Sequence, residues 1–178
     1  NTNTGTESLN DEDTGTNNSA FGYQSLKSNI SNKNSAFGAE SLEFNTTGFF
    51  NSAFGYQALQ SNTEAKSNSA FGHRSLTSNT TAEYNSAFGD LALEDNSTGG
   101  SNTALGYGVL KNNLEGKFNT AVGSRSMETN NSDYNTAVGA LALAGDNWGM
   151  SITNANHNTA LGYQALSKNE GSRNVATG

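Results

Sequence analysis

One pentapeptide, Asn-[Ser/Thr]-Ala-[Phe/Leu/Val]-Gly, recurs nine times along this chain, opening at Asn18, Asn34, Asn51, Asn68, Asn85, Asn102, Asn119, Asn135 and Asn158. The eight intervals are 16, 17, 17, 17, 17, 17, 16 and 23 residues. A short fixed period means a stacked architecture, in which each unit buries its apolar residues against its neighbours and not within itself. Two further columns keep the same beat. Four residues after each motif glycine stand Leu26, Leu42, Leu59, Leu76, Leu93, Leu110, Met127, Leu143 and Leu166. Three residues later stand Asn29, Asn45, Asn62, Asn79, Asn96, Asn113, Asn130, Asp146 and Asn169. A worn copy opens at Asn1 and another at Asn174, so residues 1–178 read as one repeat array. We expect it to be an excerpt of a longer fibre, interrupted by one inserted loop at 145–156.

Composition matters because such a unit has little with which to build a core. Leu, Ile, Val and Phe supply only 29 of 178 residues, a fraction that by itself suggests disorder. Yet the net charge of -7, with 14% charged residues, is too small to hold the chain open by repulsion. The 28 Asn, 20 Gly and 41 Ser or Thr fall in register, so order has to come from repetition. The absence of Cys excludes disulfides, thiolate metal sites and cysteine nucleophiles. No apolar run approaches the ~20 residues that a membrane-spanning helix needs, and no membrane insertion is expected. The scattered cations of an acidic chain argue against nucleic acid as a partner.

Seventeen residues are too few for a helix pair, and no repeat carries apolar residues at helical spacing over more than one turn. The motif suits a short strand ending in glycine, and the connectors, such as Asn96-Ser97-Thr98-Gly99-Gly100, are rich in turn formers. The predicted fold is all-β: a parallel β-solenoid, or β-roll, of about ten coils of 16–17 residues. In a strand, the Ser/Thr and the large apolar residue share one face while Asn and Ala take the other. Ser always accompanies Phe, and Thr always accompanies Leu or Val. One packing layer of fixed volume explains this, and block duplication of two ancestral repeats explains it equally well. On the first reading Phe21, Phe37, Phe54, Phe71, Phe88, Leu105, Val122, Val138 and Leu161 join the Leu/Met column in the core. Stacking places the nine motif asparagines in a ladder whose amides hydrogen-bond up and down the array, as in cross-β stacks. At ~4.8 Å per coil the rod is roughly 50 Å long, and coils this thin call for neighbouring chains, most economically a threefold bundle.

The sequence Asn-[Ser/Thr]-Ala-apolar-Gly-Tyr-Gln-[Ser/Ala]-Leu, intact at 18–26, 51–59 and 158–166, resembles the head repeats of trimeric autotransporter adhesins. It is also similar to related repeats in phage and algal-virus fibre proteins. The resemblance covers nearly the whole chain and implies a left-handed parallel β-roll assembled as a homotrimer. The chain departs from the adhesin pattern in its longer 17-residue period, and in Ser or Thr where those repeats often place Val.

Residues able to carry chemistry are sparse. His73 and His157 occupy non-equivalent positions and read as surface residues. Asp11-Glu12-Asp13-Thr14-Gly15 looks like the opening of a calcium loop, but Gly22 stands where the bidentate Glu belongs. No carboxylate pair recurs and no serine lies in a nucleophile elbow, so we expect no catalytic residue, no metal and no cofactor. Six glycosylation sequons occur, one at Asn17 and five in the column Asn29, Asn45, Asn79, Asn96 and Asn130, where sugars would line one edge of the rod. Trp148, the only Trp, lies on the inserted loop and is a candidate contact for sugar or protein, or a plug at a chain interface. The functional expectation is a non-enzymatic structural and adhesive fibre segment, extracellular and on a cell or virion surface. Its partners would be itself, as a trimer or an end-to-end filament, and a surface glycan or protein. The rivals are an ice-binding solenoid and the shaft of a fibre whose enzymatic domain lies elsewhere.

Overall fold

The computed structural model describes residues 1–9, 15–145 and 154–178. Among the described residues eleven three-residue strands follow one another: β1 (Thr2–Thr4), β2 (Ser19–Phe21), β3 (Ser35–Phe37), β4 (Ser52–Phe54), β5 (Ser69–Phe71), β6 (Ser86–Phe88), β7 (Thr103–Leu105), β8 (Thr120–Val122), β9 (Thr136–Val138), β10 (Thr159–Leu161) and β11 (Val175–Thr177). They form one parallel sheet in strict chain order. The molecule is therefore an all-β solenoid of about ten coils with one strand per coil. Register follows the repeat: Ser52 lies beside Ser69, Ala53 beside Ala70 and Phe54 beside Phe71. The 23-residue step keeps it too, with Thr136, Ala137 and Val138 beside Thr159, Ala160 and Leu161.

The rest of each coil is turn, and its backbone bonds to the neighbouring coils as the strands do. The Leu59 N–H donates to Ser75 O at 3.0 Å, in the following coil, and the Gln57 N–H to Ala39 O at 3.0 Å, in the preceding one. Corners are made by residues in the left-handed region, three in most coils. In the coil around Leu59 they are Phe50 at φ 58°, Gln57 at 56° and Leu59 at 52°. Bulky side chains rarely adopt that region, at a cost of about 1–2 kcal/mol each. Leu59 is fully buried, and burying a leucine contributes roughly 1.5–3 kcal/mol, enough to hold it there.

The interior is narrow. It holds the motif Ala column, fully buried from Ala20 to Ala160, the Leu/Met column from Leu26 to Leu143, and small residues such as Ser41, Ala58, Ala92 and Val109 just before it. A buried serine in that position returns its hydroxyl to the motif glycine carbonyl, as Ser41 does to Gly38 at 2.8 Å. Leu166, in the last full coil, is half-buried and packs against the end of this core.

The large apolar residues of the motif are placed differently from the expectation. Phe21, Phe37, Phe54, Phe71 and Val122 are half-buried, and Phe88, Leu105, Val138 and Leu161 are exposed. The alternation is as read, but the face is reversed: Ala and Asn point inward, while Ser/Thr and the large residue point outward. The Leu/Met column already fills the interior behind the strand, which leaves room there for a methyl group and an amide but not for a phenyl ring.

Close stacking also fixes the motif glycine. At Gly72, φ is 144°, and an added Cβ would lie 2.3 Å from Gly89 O in the next coil. Gly108, at φ 59°, meets nothing closer than Arg125 Cγ at 3.7 Å, and other coils carry Gln or Arg at that place. Gly72→Ala should therefore cost more than about 3 kcal/mol, and Gly108→Gln only about 1 kcal/mol. Thermal unfolding of the two variants measures the difference, and equal losses would contradict backbone contact between glycines as the cause.

Candidate functional site

Two ladders of buried amides run through the coils. In the first, each motif Asn accepts the backbone N–H of the next motif Asn through Oδ1. The series runs unbroken from Asn18 N–H on Asn1 at 2.9 Å to Asn174 N–H on Asn158 at 2.8 Å, and it crosses the insertion through Asn158 N–H on Asn135 at 2.9 Å. In the second, the Asn three residues after the core Leu donates Nδ2 to the Oδ1 of its predecessor: Asn45 to Asn29 at 2.7 Å, Asn62 to Asn45 at 2.7 Å, Asn96 to Asn79 at 3.0 Å and Asn113 to Asn96 at 2.9 Å.

A shared carbonyl ties the two ladders together. Ala65 O accepts Nδ2 of Asn51 at 2.7 Å and Nδ2 of Asn62 at 3.1 Å. Gly48 O and Gly99 O do the same in their coils. Among the described residues the second ladder is interrupted between Asn113 and Asn130, where Asn113 Oδ1 and Asn130 Nδ2 both lack a partner. There the connector is one residue shorter, and Asn130 turns its oxygen to the Ser132 N–H at 2.8 Å. Each buried amide is worth more than its bonds, because losing one strands neighbours that water cannot reach.

These ladders correct one expectation. Asn29, Asn45, Asn79, Asn96 and Asn130 have no exposed surface, so in the folded coil no sugar can stand on any of them. The turn rolls Asn45, Asn79 and Asn96 inward because the coil offers each an amide above, an amide below and a carbonyl beside it, while Asn130 is held by the Ser132 N–H. Asn17 is the one sequon asparagine at the surface.

The outer face of the sheet carries the apolar surface. Phe21, Phe37, Phe54, Phe71 and Phe88 stack as a column with ring centroids 4.6 to 4.9 Å apart, and Leu105, Val122, Val138 and Leu161 continue it. Exposed aromatic residues also stand at both ends of the strands: Phe50, Tyr84, Phe118 and Tyr134 before the motif, Tyr23, Tyr56, Tyr107 and Tyr163 after it. No charged side chain belongs to strands β1 to β11.

Charge gathers elsewhere, on the column after the core Leu. Glu94, almost fully buried, binds Arg74 at 2.8 Å and Lys111 at 3.4 Å, clamping three coils. Burial, reinforced by Glu94, pushes the neighbouring Asp95 carboxyl above its ordinary range. His73 is exposed, contacts Asp90 at 2.7 Å and stacks on Tyr56, while His157 stacks on Tyr134. Among the described residues no three His, Cys, Asp or Glu gather as metal ligands, and no helix is long and apolar enough to cross a membrane. Trp148 and the acidic run from Asp11 to Thr14 lie outside the described residues. Comparison with family models, with curated proteins and with solved structures matches nothing.

The first ladder makes a pH-dependent prediction. Asn68 accepts the Asn85 N–H and donates to Ala82 O. Asn68→Ala loses both bonds and should cost about 3 kcal/mol or more. Asn68→Asp keeps the acceptor, and its protonated form restores the donor. Burial raises the folded pKa of such an Asp, so its stability is fully present below the unfolded value near ~4 and is lost as pH rises through the folded value. Chemical denaturation at pH 3 and pH 7 should show the Asp variant closer to wild type at the lower pH.

Proposed function

We propose that this chain is a non-enzymatic structural and adhesive segment of a fibre, a rigid rod that self-associates through the outer face of its sheet. The observation that carries the reading is the uncharged apolar column from Phe21 to Leu161, half-buried at Phe21, Phe37, Phe54, Phe71 and Val122 and exposed at Phe88, Leu105, Val138 and Leu161. Monomeric proteins rarely leave so continuous a patch in water. The partner that best fits is a second and third copy, in a left-handed homotrimer exposed on a cell or virion surface. Threefold closure sets the Ser/Thr column of one chain against the large column of the next. Small then meets large at every level, Ser with Phe and Thr with Leu or Val, which gives the pairing a packing reason across chains. Stiffness comes from the continuous coil-to-coil bonding, and adhesion from exposed corners repeated along the rod, where many weak contacts add.

Size-exclusion chromatography with light scattering tests this directly, and three times the chain mass is expected. Phe54→Lys with Phe71→Lys puts charge on that face without touching the buried columns, and should give a folded monomer. A wild-type monomer would overturn the reading.

A further inference from the structure

We propose that the corner just before the motif forms two aromatic-walled slots that each take one pyranose ring of a glycan. This rests on the adhesive reading above and names its ligand class and site. The corner column reads Lys33, Phe50, Ser67, Tyr84, Ser101, Phe118, Tyr134 and His157. Every member lies in the left-handed region, with φ between 57° and 61°, so their side chains leave the coil in the same direction.

Where rings are consecutive they stack: Phe118 on Tyr134 and Tyr134 on His157, each at 4.9 Å and within 16° of parallel. Ser67 and Ser101 break the stack further down. They leave Phe50, Tyr84 and Phe118 two coils apart, about 9.6 Å at the usual strand spacing. All three rings are about half exposed. The Lys33 ammonium, from the preceding coil, lies 4.8 Å from the Phe50 ring centre, and Phe49 meets that ring edge-on with centroids 5.3 Å apart.

Width selects the guest. A flat aromatic guest between two rings needs about 7–8 Å, so it would sit loose in a slot of this size. A chair-form sugar is thicker by its axial hydrogens and fills about 9 Å, with C–H groups against both walls. The Ser67 or Ser101 hydroxyl at the floor can bond a ring hydroxyl. At the rim, Lys66 and Glu83, 3.6 Å apart, immediately precede Ser67 and Tyr84 and supply further polar partners. Each slot alone binds weakly, and repetition along a rod multiplies the effect.

The test uses saturation-transfer NMR and titration calorimetry with cellohexaose, mannohexaose and chitohexaose. Irradiating the aromatic protons should transfer magnetisation to at least one sugar, with a dissociation constant in the millimolar range. Ser67→Tyr with Ser101→Tyr fills both slots by extending a stack that the same column already carries at Phe118–Tyr134–His157. That variant should keep its thermal midpoint while affinity falls at least about tenfold. Tyr84→Ser, which removes the wall common to both slots, should also lose binding. Binding of none of the three sugars, or unchanged binding by the filled variant, would overturn the proposal. Light scattering on the same samples reports self-association independently, so either idea can fail without the other.

Discussion

The buried amide ladder is the interaction on which everything else here depends. A coil of this sequence encloses little more than an alanine and a leucine, far too little to fold alone. The motif Asn makes stacking obligatory, because its backbone N–H is satisfied only by the asparagine of the preceding coil. One coil out of register would leave polar groups buried without partners along the whole rod, at about 1–3 kcal/mol each. Polar satisfaction thus supplies the uniqueness that a larger protein obtains from packing.

Geometry follows from that thinness. Coils in direct backbone contact admit no Cβ at the motif glycine, and corners tight enough to close a 17-residue loop need left-handed residues in most coils. Many of these are not glycine, so the conformation is imposed by the stack and not chosen by the residue. The insertion between Asn135 and Asn158 shows how strongly. Six residues beyond the 17-residue period leave β9 and β10 paired in the same register, with the ladder bond across the step intact.

Since the interior is uniform, individuality is confined to the outward columns. The sheet face bears phenyl rings in β2 to β6 and aliphatic side chains in β7 to β10, and the corner before the motif alternates rings with serines before its rings become consecutive. Any one column is a string of weak, equally spaced contacts, suited to association along a length. The buried Glu94 with Arg74 and Lys111 belongs to the other category, a clamp between coils instead of a site.

The period, the strand and the parallel order could be read from the sequence, because a 17-residue repeat with a fixed Asn admits few ways of satisfying its backbone. The motif asparagines do stack, but through backbone N–H groups, and the amide-to-amide ladder expected of them runs through the Asn45 column instead. Which side of the strand faces inward could not be read there. Hydrophobicity points to Phe54 inside and Asn51 outside, and the same logic puts Asn45 on a sugar-bearing edge. Only the tertiary structure settled these positions, through what one coil can enclose. With the Leu/Met column inside, the strand side has room for Ala53 and an asparagine amide but not for a phenyl ring, and the repetition that makes an amide's bonds complete exists only once the coils are stacked.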